Sequence, residues 1–424
     1  MLIDRSDIQG LVVSGYAAQP ASALLLVRFA GGKPRPWLRR LLPRVSSAAR
    51  HERFARHHVN VAFSCRGLEQ LGLDQATLAG FSLEFRQGMA HPQRSRVLGD
   101  IGEDAPRHWW FGNDEHPVDA VVLVYASNPE ELEARLDELT ASVDQYGLEY
   151  EEVETYLDPE RREHFGFRFA VSAPAYRRGL TPKKKPRLAV GELLLGYGDQ
   201  RGERAPTPLA RFRRSTRDAR LHGRAQVDLG HNGTYLVLRQ LEQRVATFWN
   251  CLDGVVRHTP GVASDARTLA EQLVGRTIDG TPLARCPIGA HVKRTNPSEV
   301  LGREADAHRL VRRGRLYGPR AADPRVPDNV ERGLMFIALN ADLAQKFEFV
   351  QQSLINDPKF GGLRGERDPL VGQDDERERA FTVPGTPVRS LVGPLPRFVR
   401  VRGGGYFFLP GLRALGYLSE AGAR

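Results

Sequence analysis

The segment Cys286-Pro287-Ile288-Gly289-Ala290-His291-Val292-Lys293-Arg294-Thr295-Asn296-Pro297 is followed shortly by Val311-Arg312-Arg313-Gly314-Arg315-Leu316-Tyr317-Gly318. In the first, one histidine stands after a Gly-Ala step. In the second, a run of arginines lies inside a glycine-bounded segment. An imidazole is a nitrogen donor that suits a transition metal. A guanidinium keeps its charge at any pH a protein meets. The two segments therefore suggest a held metal with a permanent cation available to whatever binds on the metal's other side.

The rest of the chain bounds what such a site can belong to. A length of 424 residues is more than one ordinary core and suits two domains of about 150–200 residues. Hydrophobic content of 41% with 26% charged residues is that of a soluble globular protein. No apolar run approaches the roughly 20 residues of a membrane helix, so no membrane partner is expected. Met1–Asp7 lacks the apolar stretch of a secretory signal, and Arg39-Arg40 lies too deep for twin-arginine export. The expected compartment is the cytoplasm. Cys65, Cys251 and Cys286 are scattered and form no CxxC pair, which removes thiolate metal sites and suits a reduced compartment.

The net charge of +10 comes mostly from arginine. Part of it is local, between Lys183 and Arg224, where few aromatics interleave with the charge. A nucleic-acid surface would need them for stacking, so a solvated basic connection is expected instead.

Periodicity gives strands and helices in turn. Gly10–Tyr16 and Ser22–Phe29 are short apolar runs separated by a turn-like break. Asp119–Ala126 reads as a buried strand. It runs into a helix with Leu132, Leu136, Leu139 and Val143 on one face, closed by Gly147. His164–Val171 alternates like a strand. Gly233–Leu238 repeats the rhythm and passes into a helix with Leu241, Val245, Phe248 and Leu252. Leu334–Leu339 is another buried strand, with Asn340 positioned to cap a helix carrying Leu343, Phe347, Val350 and Leu354. Phe398–Val401 and Tyr406–Leu409 flank a Gly403-Gly404-Gly405 break. Residues 191–230, rich in Pro, Arg and Gly, read as a connection between a half at 1–190 and a half at 231–424. No phosphate-binding loop, GxSxG elbow or HExxH is present.

The Cys286–Pro297 segment resembles the haem-binding core of the dye-decolourising peroxidases. Further blocks follow in that family's order: Phe85–Met89 with Leu98-Gly99-Asp100, Gly191–Tyr197, Asn232–Val237, Arg332–Phe336, Phe347–Gln351 and Pro396–Val399. The resemblance implies an α+β fold of two ferredoxin-like domains of the dimeric α/β-barrel type, with antiparallel sheets and peripheral helices. It also implies one haem b per chain, with hydrogen peroxide and an organic electron donor as reactants, and is compatible with a homo-oligomer. His291 would be the axial ligand and Arg312 the distal arginine, with Arg313 as the alternative one residue on. A carboxylate would support the other ring nitrogen of His291, with Asp342 preferred and Glu348 second. Arg294 and Arg397 are candidates for the haem propionates.

One departure stands out. Where the family carries Gly-x-x-Asp-Gly, this chain reads Gly166-Phe167-Arg168-Phe169-Ala170. Phe169 replaces the acid that moves the peroxide proton in that family. Two outcomes are compatible with this: a peroxidase working through Arg312, or a haem protein with diverged, oxygenase-like or biosynthetic chemistry.

Overall fold

A computed structural model of the chain describes residues 3–49, 55–168, 175–176, 187–211, 226–296, 298–373, 379–385 and 387–420. Its principal strands are β1 (Ala21–Arg28), β2 (His57–Phe63), β3 (Ala120–Ala126), β4 (Glu149–Tyr156), β5 (Thr234–Gln243), β6 (Val311–Arg312), β7 (Arg315–Tyr317), β8 (Gly333–Asn340) and β9 (Val399–Leu409). They form one antiparallel sheet in the order β6-β8-β7-β4-β1-β3-β2-β9-β5, and β5 pairs back onto β8. The sheet is therefore a closed barrel built from four strands of each half, with β6 and β7 sharing one flank of β8. At the two seams between halves, Leu316 pairs with Tyr156 and Phe408 with Phe63. This is the α+β barrel architecture that the sequence led us to expect.

Alternation along each strand sorts side chains between lumen and exterior. Leu24, Leu26, Leu123, Tyr125, Leu236 and Ile337 fill the lumen together with Leu11 and Val12 from the N-terminal segment. Leu25, Val27, Val122, Val124 and Val237 face outward beneath helices. Among these helices, α1 (Pro34–Leu41) and α2 (Pro129–Gln145) cover the N-terminal half. Asn128 caps α2 by accepting from Glu131 N at 2.8 Å. On the C-terminal half, α3 (Val245–His258) and α4 (Ala266–Val274) pack with the hairpin Phe381–Val383/Ser390–Val392 into a separate apolar cluster. A last helix, α6 (Leu412–Glu420), returns to pack against α1; a short α5 (His291–Thr295) is taken up below.

Several local expectations are corrected. Gly10–Val12 is a single 3-10 turn rather than a strand. His164–Arg168 is a tight loop, because Gly166 takes φ +101° and Glu163 accepts amides from Phe165 and Phe167. Residues 169–171 of that expected strand lie outside the described residues. Leu241 belongs to β5, and the helix after it begins only at Val245. Asn340 ends β8 without capping, and the helix beyond it is π-type over Ala344–Glu348 and Val350–Ile355. β9 runs unbroken through the three glycines with one register shift between Val401 and Gly403. They are needed there for close approach: a Cβ on Gly403 would sit 2.4 Å from the Phe111 ring, and one on Gly404 2.8 Å from Met89 Sδ. Within the stretch read as a connection, Leu193, Leu194 and Leu195 are fully buried. Residues 183–186 and 212–224 of the basic Lys183–Arg224 region lie outside the described residues.

Candidate functional site

Strand alternation separates the arginines of the 311–318 segment. Arg313 and Arg315 turn into the barrel, where the N-terminal segment receives them. Arg313 donates through Nε to Leu11 O (2.8 Å) and through Nη2 to Val12 O (2.9 Å). Arg315 donates to the carbonyls of Gln19, Gly15 and Tyr16 and lies over the Tyr125 ring. Arg312, paired in register with Ala338, turns outward on β6 and makes no hydrogen bond or ion pair among the described residues. Its side chain is accessible, yet burial, together with the like charge of Arg276, holds its guanidinium below the usual arginine range. Leu334 and Phe336, which share that outward face of β8, are only half-buried.

His291 opens α5. Its Nδ1 lies 2.9 Å from Asp368 Oδ2, and Nε2 has no partner among the described residues. Asp368 is fully buried, and its Oδ1 accepts from Leu370 N (2.9 Å) and Val371 N (3.0 Å). Burial alone would raise its pKa. The imidazole charge, the hydrogen bond from His291 and the backbone amide of Val371 outweigh that and hold it below the usual carboxylate range. A carboxylate anchored in this way accepts the Nδ1 proton and leaves the Nε2 lone pair free to bind a metal.

The carboxylate partner is therefore neither Asp342 nor Glu348. Asp342 accepts from Gln345 N at 2.9 Å at the start of the following helix, as an acid at a helix N-terminus does. Glu348 is taken by Arg94 (2.8 Å) and the Tyr406 hydroxyl (2.9 Å). Arg294 and Arg397 are also committed elsewhere. Arg294 is fully buried and donates to the carbonyls of Leu354 (2.7 Å), Asp357 (3.0 Å), Glu366 (2.6 Å) and Gly289 (3.3 Å). This ties α5 to the loop that carries Asp368. Arg397 pairs with Asp104 and Gln373. Neither has its charge directed at an external carboxylate. Phe169 lies outside the described residues.

The histidine, arginine and Gly166 segments meet at a loop that the sequence reading passed over, Gly275–Pro282. Gly275 (φ +89°) ends α4 against the His291 segment, where a Cβ would come 2.9 Å from Cys286 Sγ and 3.1 Å from Ala290 Cβ. Arg276 is the like charge beside Arg312. Ile278 O accepts from Arg168 N (3.0 Å) and Arg162 Nη1 (3.0 Å), while Asp279 accepts from Arg162 Nη2 (2.6 Å). No group of three or more His, Cys, Asp or Glu side chains gathers as for a bare metal ion among the described residues.

The Gly166 loop carries a pH-sensitive residue. His164 is buried and shares a hydrogen bond with Tyr317 O at 2.9 Å; burial pushes its pKa down to about 4. Unfolding releases it to titrate near 6.5, so the unfolded chain binds the extra proton between these values. Its contribution to stability is complete above pH 6.5 and is lost as pH falls toward 4, by about 3 kcal/mol. Urea unfolding across that window should show the fall in the wild type and a shallower one in His164→Gln. Equal slopes would refute the assignment.

Known proteins converge on one family. Residues 42–157 match the DyP dimeric alpha+beta barrel domain, and residues 214–364 match the Dyp-type peroxidase C-terminal domain. Over 226 residues the chain is 33% identical to the multifunctional dye peroxidase DyP2 of Amycolatopsis sp., a match covering 44% of this chain and 48% of that protein. It is 26% identical over 416 residues to the dye-decolorizing peroxidase msp1 of Mycetinis scorodonius, covering 84% and 75%. The fungal DyP-type peroxidase structure from Auricularia auricula-judae shares the fold at a TM-score of 0.78 and 21% identity, over 99% of this chain and 100% of that one. Barrel and paired domain matches together define a dye-decolourising peroxidase, a class of haem peroxidase oxidoreductases. The chain belongs to that family.

Proposed function

We propose that the chain is a haem-dependent peroxidase that reduces hydrogen peroxide and oxidises an organic donor, with haem b held by His291 and Arg312 as the distal catalytic residue. The observations that carry this reading are the His291–Asp368 pair and an accessible Arg312 with no hydrogen-bond or ion-pair partner among the described residues. These residues fit a haem: one imidazole with a free Nε2 is the donor a haem iron takes from a protein. When bound, haem supplies the iron that accepts and passes on the oxidising equivalents of peroxide. Asp368 fixes the tautomer and orientation of His291 and strengthens it as a donor. Arg312 cannot take a proton, but its charge stabilises a hydroperoxide anion and the oxygen leaving as the O–O bond breaks. The peroxide proton has to travel by a route other than residue 169, since a phenyl ring neither accepts nor donates one.

Titration of the purified protein with haem, followed by peroxide, tests this reading. A Soret band, a peroxide-dependent spectral change and turnover of a dye are expected. A haem-loaded protein that is inert to peroxide would refute the peroxidase assignment. Asp368→Asn should lose roughly 10–100-fold in haem affinity or activity.

Phe169 favours a second reading, a haem protein with diverged oxygenase-like or biosynthetic chemistry on an apolar substrate. Peroxide-dependent spectra without any dye oxidation would select it. We place the reaction in the cytoplasm, a setting that suits three scattered cysteines without CxxC spacing. Among the described residues, no helix is long and apolar enough to cross a membrane.

A further inference from the structure

Arg276 lies on the loop that borders all three parts of the site. It follows the glycine that packs on the His291 segment, stands beside Arg312, and leads into the Ile278–Asp279 contacts with the 162–168 loop. Its guanidinium is oriented by a single bond, from Nη1 to Gly280 O at 3.0 Å. Nε and Nη2 have no partner among the described residues, and the side chain is half-buried. The nearest acid in its loop, Asp279, is held by Arg162. Two guanidinium groups close enough to repel, partly withdrawn from water and without an acidic partner among the described residues, form a costly arrangement in isolation. It becomes favourable when an anion lies between or beside them, and the planar fork of arginine suits a carboxylate in particular.

We propose that Arg276 is the residue that holds a carboxylate side chain of the haem, the role for which Arg294 and Arg397 are unavailable. This rests on the haem reading above. Gly280, at φ +88°, lets the 276–282 loop turn back so that its carbonyl fixes Nη1 while Nε and Nη2 stay free to bind the carboxylate. Arg276 is thus a positioning residue that sets how the cofactor sits relative to His291 and Arg312.

The test uses haem and haem dimethyl ester, in which both propionates are masked, each titrated into the full-length apoprotein and followed at the Soret band. The wild type should prefer free haem over the ester. Arg276→Gln should weaken haem binding roughly ten- to hundredfold, as expected for loss of a charge-assisted hydrogen bond. It should leave ester binding unchanged, so that the preference largely disappears. Arg276→Lys should keep part of the preference, and circular dichroism on both variants establishes that the fold is intact. A folded Arg276→Gln protein with the wild-type preference overturns the assignment. A wild type that binds neither compound overturns the haem reading, and this inference with it, which is a distinguishable result.

Discussion

His291→Ala is expected to give a folded protein that no longer ligates haem iron through a side chain. Its Soret band should be shifted or lost, and peroxidase turnover should fall by more than the roughly 10–100-fold assigned to loss of the supporting carboxylate. The local fold should survive, because α5 is anchored by Arg294 rather than by the imidazole. Asp368 would then be a buried carboxylate that keeps its two backbone amides but loses its ring partner, and its pKa should rise. Added imidazole, occupying the space left by the side chain, should restore part of the spectrum. An alanine variant with an unchanged haem spectrum and turnover would remove His291 from the ligand role.

Arg312→Leu is the second large effect. The rate of reaction with peroxide should drop about 10²–10³-fold, the usual cost of deleting one preorganised charge at a developing anion, while haem uptake is largely retained. Arg313→Leu provides the contrast. Arg313 satisfies the carbonyls of Leu11 and Val12 inside the barrel, so its loss should lower stability and leave the peroxide step nearly unchanged. Stopped-flow rates beside urea midpoints separate the two. If Arg313→Leu slows the peroxide step more than Arg312→Leu, the site has been read one residue out of register.

The same pair shows what could be read from the chain alone. Arg312 and Arg313 are chemically identical in sequence, and only the sides of β6 and the partners waiting on each side distinguish them. Strands such as Ala120–Ala126 and the helix capped by Asn128 were legible because period and capping are local. Asp368 was not. It lies in an aperiodic glycine-rich loop 77 residues beyond His291, and its fitness as a partner comes from burial and two amides supplied by the fold. Asp342 and Glu348 were candidates because the resemblance implies a carboxylate in the strand–helix segment after the distal arginine, yet each has nearer claimants. Arg276 was one arginine among many until the fold brought it near Arg312.

Closure of the barrel has a consequence for the company this chain can keep. An open sheet ends in unpaired amides and carbonyls, onto which another molecule's strand can dock and extend the ribbon. In the ring formed here each longer strand has a neighbour on both sides, but at the two seams the contact is a single pair, Leu316 with Tyr156 and Phe408 with Phe63. The edge this sheet offers to another copy's strand is therefore the seam side of β4, Glu149–Thr155, where closely spaced glutamates discourage pairing.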